Sequence, residues 1–231
     1  MALAMALLLS GCESSQERSA QLEHEAKHVV GAAVHGLLIR HASTDVKVLG
    51  TQVLHDPEGA AVLVTVQNTS RHAVRDVPLA VTVKDAGGAV LYRNDAPGLE
   101  PGLTSVPLLG PGERFIWIDD QVQASSPPAS ASAVAGEAAT VAGAAPRIRL
   151  SGVHATAAPE AGVAGTVAND SGVTQHGLVV YGSARRGGKL VAAGRAVLSE
   201  LPAHSTSPFQ VLFIGDARGA HVEASAPPAT L

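Results

Sequence analysis

The sequence predicts a mainly β protein: two small antiparallel β-sandwiches in tandem, preceded by a short amphipathic helix. Three observations carry that expectation. Segments 46–122 and 147–223 each consist of short Val-rich runs broken by Asn, Gly and Pro turns, the pattern of a sandwich. The two segments also repeat the same features in the same order. Between them, 123–146 (QASSPPASASAVAGEAATVAGAAP) is rich in Ala, Ser, Pro and Gly without periodicity, which reads as a flexible linker. Residues 224–231 (ASAPPATL) read as a disordered tail for the same reason.

In chain order, Met1 to Leu9 (MALAMALLL) is an uncharged apolar run, far short of the roughly 20 residues a spanning helix needs. It is closer to the apolar region of a signal peptide, about 7–15 residues long and followed by small residues at the cleavage point. No basic residue precedes it, so a start upstream of Met1 is expected. Leu9-Ser10-Gly11-Cys12 closes the run with the only cysteine of the 231 residues. This stretch resembles the lipobox of bacterial lipoproteins. The resemblance implies that residues 1–11 are removed as a signal peptide and that Cys12 is lipidated on its thiol and its new amino terminus. It further implies an extracytoplasmic protein held at the cell membrane or envelope by fatty acyl chains. At about 0.8 kcal/mol per buried methylene, two or more chains anchor stably where one does not. With Cys12 modified, the mature chain has no thiol for a disulfide or a metal site.

Residues 12–45 are expected to form a polar tether and a helix. Leu22, Ala26, Val29, Val30, Ala33, Val34 and Leu37 recur at helical spacing. Gly31 and Gly36 each weaken that helix by about 1 kcal/mol relative to Ala, and from Val29 onward a first strand is the alternative. Within the segment, His24-Glu25-Ala26-Lys27-His28 matches H-E-x-x-H, in which two His one turn apart bind zinc and the Glu acts as general base. The context argues against a peptidase. At 100° per residue His24, His28 and His35 fall within about 40° of one another, opposite the apolar stripe, so they face solvent rather than a walled cleft. No Glu stands between Lys27 and Glu58 to serve as a third ligand. A solvated polar face is the expectation. Surface metal binding through His24, His28 and His35 is the alternative, followed by a zinc-dependent peptidase.

In segment 46–122, Val62-Leu63-Val64-Thr65-Val66 ends at Asn68-Thr69-Ser70. Segment 147–223 places Val163-Ala164-Gly165-Thr166-Val167 before Asn169-Asp170-Ser171. Next come Val77 to Lys84 and Leu178 to Ala184, each followed by a Gly-Gly pair, Gly87-Gly88 and Gly187-Gly188, that supplies the positive φ of a tight hairpin. Pro111-Gly112 precedes Phe115-Ile116-Trp117-Ile118, and Pro202 precedes Phe209-Gln210-Val211-Leu212-Phe213. Alternation directs Val62, Val64, Val66, Val77, Leu79, Val81 and Val83 inward, with Thr65 and Thr82 outward. Modules of about 75 residues bury little more than 60% of their unfolded surface, so docking between the two would help both.

This order resembles the FxLYD-type module, a small immunoglobulin-like sandwich of bacterial envelope lipoproteins. The features that carry the resemblance are the Asn turn after a Val-rich strand, Pro111-Gly112, and Phe115 or Phe209. Val81-Thr82-Val83-Lys84-Asp85 stands where the naming motif would, keeping its Asp, and Tyr181-Gly182-Ser183-Ala184-Arg185 keeps one aromatic. The resemblance implies an immunoglobulin-like fold for both segments and a binding or spacing role without catalysis.

Composition narrows the function further. A net charge of −4 gives no electrostatic reason to expect nucleic acid, and aromatic residues at 3% leave few platforms for stacking on sugars or bases. Asp119-Asp120 and Asp56/Glu58 are carboxylate pairs, but neighbouring strand residues point to opposite faces, which argues against a shared acid/base site. Asn68-Thr69-Ser70 and Asn169-Asp170-Ser171 match the glycosylation sequon and read better as turns. No Ser lies in a nucleophile-elbow context. The sequence therefore leads to a non-enzymatic envelope lipoprotein without cofactor, displaying two sandwiches for binding or spacing. Its expected partners are the membrane, through the lipid, and a protein of the envelope.

Overall fold

The structure is a computed structural model that describes residues 36–99 and 101–231. The expected N-terminal helix lies outside the described residues. Within them the chain is almost wholly antiparallel β, as the sequence predicts.

The first sandwich packs one sheet of β1 (Val46–Asp56), β2 (Gly59–Asn68) and β6 (Arg114–Val122), in the order β1-β2-β6, against a second sheet centred on β3 (Ala73–Lys84). Along one edge of β3 run β4 (Val90–Arg93) and β5 (Ser105–Leu109). Between these two the chain leaves the sheet through a short 3-10 turn, η1 (Pro101–Leu103). Buried Asn94 fills the gap: its Oδ1 accepts from the Val81 amide at 2.7 Å, and its Nδ2 donates to the carbonyls of Leu79 and Leu103. One side chain thus satisfies backbone groups that a missing strand would have paired.

The second sandwich repeats the plan. Its sheets are β9 (Ile148–Thr156), β10 (Gly162–Asn169) and β13 (Thr206–Leu212), in the order β9-β10-β13, and the order β14-β12-β11-β15. The latter comprises β11 (Gln175–Arg186), β12 (Lys189–Leu201), β14 (Ile214–Gly215) and β15 (His221–Ser225). The β11–β12 hairpin closes in two residues, Gly187 and Gly188, at φ 58° and 80°, the positive-φ pair that matches the strand twist. Unlike the β4–β5 strand pair of the first sandwich, β12 runs without interruption.

The correspondence extends to single hydrogen bonds. Asn68 and Asn169 are both buried. Asn68 Nδ2 donates to the carbonyls of His72, Leu109 and Gly110, and Asn169 Nδ2 to those of Val173, Leu201 and Pro202. Each Oδ1 accepts from the amide and the hydroxyl of the Ser two residues on. In both sandwiches the Asn pins the end of one strand to a turn on the opposite sheet. The sequons are therefore spent as internal cross-links. Trp117 faces Val64 and Phe209 faces Gly165 at the same point of the ladder, so Phe209 stands in the place of Trp117. Phe115 corresponds in register to Ser207.

Two expectations from composition are corrected. The segment 123–146 contains β7 (Ser130–Ala135) and β8 (Ala139–Val141), which pair with β3 along the edge opposite β4 and β5. The tail 224–231 begins inside β15 and is then held by Gln175: its Oε1 accepts from the amides of Ala229 and Thr230 at 2.9 and 3.0 Å, and its Nε2 donates to the Thr230 carbonyl. Each sandwich is completed by a strand of small residues. Ala and Ser carry little hydrophobic alternation, yet their backbones pair as well as any other.

Candidate functional site

The two sandwiches meet, and their junction gathers buried charged side chains. Ala61 and Leu63 on β2 and Ile118 on β6 alternate with the residues that fill the first core, so they lie on the outer face of their sheet, yet none is more than 1% exposed. Leu190 of β12 and Ile214 of β14 pack against this cluster. Val179, Tyr181 and Ala193, which point away from the second core, belong to the first. Gln52 Nε2 donates to the Leu190 carbonyl at 2.9 Å, and the Gly215 amide donates to Asp56 Oδ2 at 2.6 Å. Asp56 also accepts from the amides of Glu58 and Gly59 through Oδ1, so it shapes its own turn while tying down β14. Phe115 and Tyr181 meet edge to face at 5.1 Å. At the matching positions the second sandwich has Gly162, Ala164 and Gln210, small or polar residues of which Ala164 is half-buried and Gln210 exposed.

At the centre of the junction Arg195, with a side chain only 3% exposed, sits between Asp119 and Asp120. Its backbone N–H donates to Asp120 Oδ2 at 2.8 Å and its Nε to Asp120 Oδ1 at 3.3 Å. Nη2 reaches Asp119 Oδ1 at 3.4 Å, and Nη1 donates to the Gly102 carbonyl at 2.7 Å. Tyr92 donates its hydroxyl to Asp119 Oδ2 at 2.6 Å. Strand alternation alone would separate Asp119 from Asp120; contrary to that expectation, Arg195 bonds to both. Between Ala60/Val122 and Val62/Asp119 the ladder takes two steps on β2 and three on β6, a bulge at the carboxylate pair. A bulge re-aims side chains, and β6 is an edge strand, so one guanidinium reaches both carboxylates.

The electrostatics follow from two carboxylates facing one cation out of water. Burial pushes the Asp120 carboxyl above its ordinary range, against the pull of the Arg195 amide and charge. Burial and the Asp119 carboxylate raise Tyr92, and burial raises Tyr181. The Tyr181 hydroxyl has no hydrogen-bond partner among the described residues. The arrangement works as a clamp: the charged groups hold one another and the two sandwiches.

Beside the clamp the sandwiches diverge into a cleft of about 690 Å³. Leu103 and Pro107 form one wall and Val179 and Val197 the other, with Arg195 and Gln121 also on its lining. Val197 is 61% exposed.

Of the residues singled out from sequence, Cys12, His24, Glu25, His28 and His35 lie outside the described residues. Asp119 and Asp120 are brought together, while Asp56 and Glu58 serve the β1–β2 turn. Arg195 and Tyr92 were not recognised from sequence; the one available signal was a pair of acids inside the otherwise apolar strand FIWIDDQV. Among the described residues no cluster of three or more His, Cys, Asp and Glu side chains is arranged to hold a metal, and no helix is long and apolar enough to cross a membrane. Compared with known proteins, the chain matches no family model and no curated sequence.

Proposed function

We propose that this chain is a non-enzymatic lipoprotein of the bacterial envelope, anchored through Cys12. Its two immunoglobulin-like sandwiches act as one docked body that binds or spaces other envelope components at the extracytoplasmic membrane surface. The observation that carries the reading is the Asp119–Arg195–Asp120 clamp. The acidic and basic side chains withdrawn from water at the junction are engaged with one another across it, which suits a display scaffold better than a reaction centre. The lipobox resemblance at Leu9-Ser10-Gly11-Cys12 supplies the address.

The test is made in the native host. The wild-type chain is expected to incorporate labelled palmitate, to lose residues 1–11 and to fractionate with membranes; Cys12→Ser should do none of these. Membrane fractionation of Cys12→Ser equal to wild type, with no label in either, overturns the anchor. Crosslinking in intact cells then tests the partner: an envelope protein captured by wild type is the expected result, and empty capture reduces the role to spacing.

A further inference from the structure

We propose that the cleft between the sandwiches binds a small neutral molecule with an apolar body and a carbonyl oxygen, and that the Arg195 guanidinium donates to this oxygen. Binding of this kind goes beyond display at the envelope and does not depend on the lipid anchor.

Arg195 has more donors than its surroundings have acceptors. A guanidinium carries five N–H groups and accepts nothing. Nε donates to Asp120 Oδ1, Nη1 donates once to the Gly102 carbonyl, and Nη2 donates once to Asp119 Oδ1. One N–H on Nη1 and one on Nη2 remain, and no acceptor among the described residues takes them. The side chain is only 3% exposed, and a buried donor left unpaired is unfavourable. The neighbouring acceptors are already engaged. The Gly102 carbonyl also accepts from Trp117 Nε1, Asp119 Oδ1 accepts from the Gln121 amide, and Asp119 Oδ2 accepts from the Tyr92 hydroxyl. Arg195 and Gly102 both line the cleft, which puts this end of the guanidinium at its floor.

Charge selects the ligand. Asp119 and Asp120 already set two carboxylates against one guanidinium. An anion at the floor would meet both of them, and a cation would meet Arg195 and find donors where it needs acceptors. A neutral acceptor oxygen completes Arg195 without adding charge. Above the floor the walls are Leu103 and Pro107 on one side and Val179 and Val197 on the other, so the rest of the ligand is apolar. Val197 is 61% exposed, apolar area that a ligand removes from water. The cleft, at about 690 Å³, falls within the roughly 300–1,000 Å³ of ligand pockets, which favour domain junctions and combine apolar walls with a few placed polar groups. Exposed Gln121 also lines it, and its side-chain amide has no partner among the described residues, which leaves it free for a second polar group of the ligand.

The probe is N-octylacetamide, titrated into the full chain carrying Cys12→Ser to remove the anchor. Nuclear magnetic resonance of the Arg195 guanidinium and of the backbone amides is the readout. A saturable shift of the Arg195 Nη resonances, together with those of the Val179 and Val197 amides, is the expected result. Octylammonium and nonanoate keep the alkyl body without the neutral acceptor. Each should bind about tenfold more weakly, the loss expected when one buried hydrogen bond is not properly made. Val197→Asp should weaken N-octylacetamide by a similar factor with an unchanged unfolding midpoint. Val153→Asp, at an exposed valine of β9 outside the cleft lining, should leave binding intact. The absence of a saturable shift at Arg195 overturns the proposal, as does equal or tighter binding of either charged probe. Undiminished binding by Val197→Asp also overturns it, because the ligand would then lie elsewhere. None of these outcomes depends on lipidation or on cellular crosslinking, so this proposal can fail while the envelope reading stands.

Discussion

Arg195 and Asp120, 75 residues apart, hold each other twice: the backbone amide of Arg195 donates to one carboxylate oxygen and its Nε to the other. Most salt bridges join two flexible side chains. Here one donor belongs to the β12 backbone, so the contact fixes the position of a strand as well as a charge. Asp119 on the same bulge accepts a third hydrogen bond, from the guanidinium, so Arg195 registers the two sandwiches against each other together with Gln52 and Asp56.

Removing the cation should be costly. Arg195→Met leaves two buried carboxylates without their counter-ion, and breaking a buried pair from one side typically costs about 3–5 kcal/mol. Urea unfolding should show a loss of that size. The combined variant Asp119→Leu, Asp120→Leu, Arg195→Met should lose less than the single one, because no charge is then stranded. A single-variant loss below about 1 kcal/mol would show that the clamp is solvated.

The pH dependence has a defined sign. The folded-state pKa of Asp120 is raised by burial, so the folded chain holds that proton more tightly than the unfolded chain. Its contribution to stability is complete below the ordinary carboxylate pKa and is lost as pH rises through the elevated one. Asp170 and Asp216, lowered by Arg149 and Arg218, act in the opposite sense and in a more acidic window. Subtracting the stability profile of Asp120→Asn from that of wild type should therefore leave a fall with rising pH just above the carboxylate range. A flat difference would count against burial of the group.

Tyr181 offers a test of packing against hydrogen bonding. Its ring meets Phe115 edge to face, while its hydroxyl lacks a partner among the described residues. A buried polar group without a partner costs about 1–3 kcal/mol, so Tyr181→Phe should leave stability unchanged or raise it by about 1 kcal/mol. A loss greater than 1 kcal/mol in thermal unfolding would place a bridging water on that hydroxyl.

The paired asparagines predict matching defects. Asn68→Ala and Asn169→Ala each strip three carbonyls of a donor and one amide of its acceptor. At about 1–3 kcal/mol for a buried group left unpaired, each should cost about 3 kcal/mol or more. Comparable losses in denaturant midpoint are expected for the two variants. A small effect at either site would mean that its turn holds without the side chain.

Chain length provides the last test. A chain ending at Gln123 lacks β7 and β8 and leaves both the β3 edge and Leu79, Val81 and Val83 without their neighbours. It should unfold without a cooperative transition, whereas a chain ending at Pro146 should show one. Equal cooperativity of the two would demote β7 and β8 to decoration.

Some of this was legible in the residues. Val62-Leu63-Val64-Thr65-Val66 and Val77 to Lys84 read as strands because β-branched residues alternate there, and Gly187-Gly188 reads as a hairpin because few other residues adopt its φ. The segment Ser130–Ala135 and residues 224–225 read from sequence as linker and tail because Ala and Ser bury too little apolar area to leave a periodic trace. Leu63 and Ile118, on the outer face, were the visible hint that a second layer covers the first sheet. The clamp was hidden for a different reason: a bulge is a change of register between two strands, and no single strand records it.

Local preference was enough to settle the β class, the tandem plan and the Asn and Gly turns, because each depends on residues a few positions apart. The docking of the sandwiches, the meeting of Asp119, Asp120 and Arg195, and the exposed rim of β12 at Val197 arise from contacts across 75 residues or more. Such contacts depend on how finished sheets pack and which carboxylates lose their water, and that balance is struck only once the whole chain has folded.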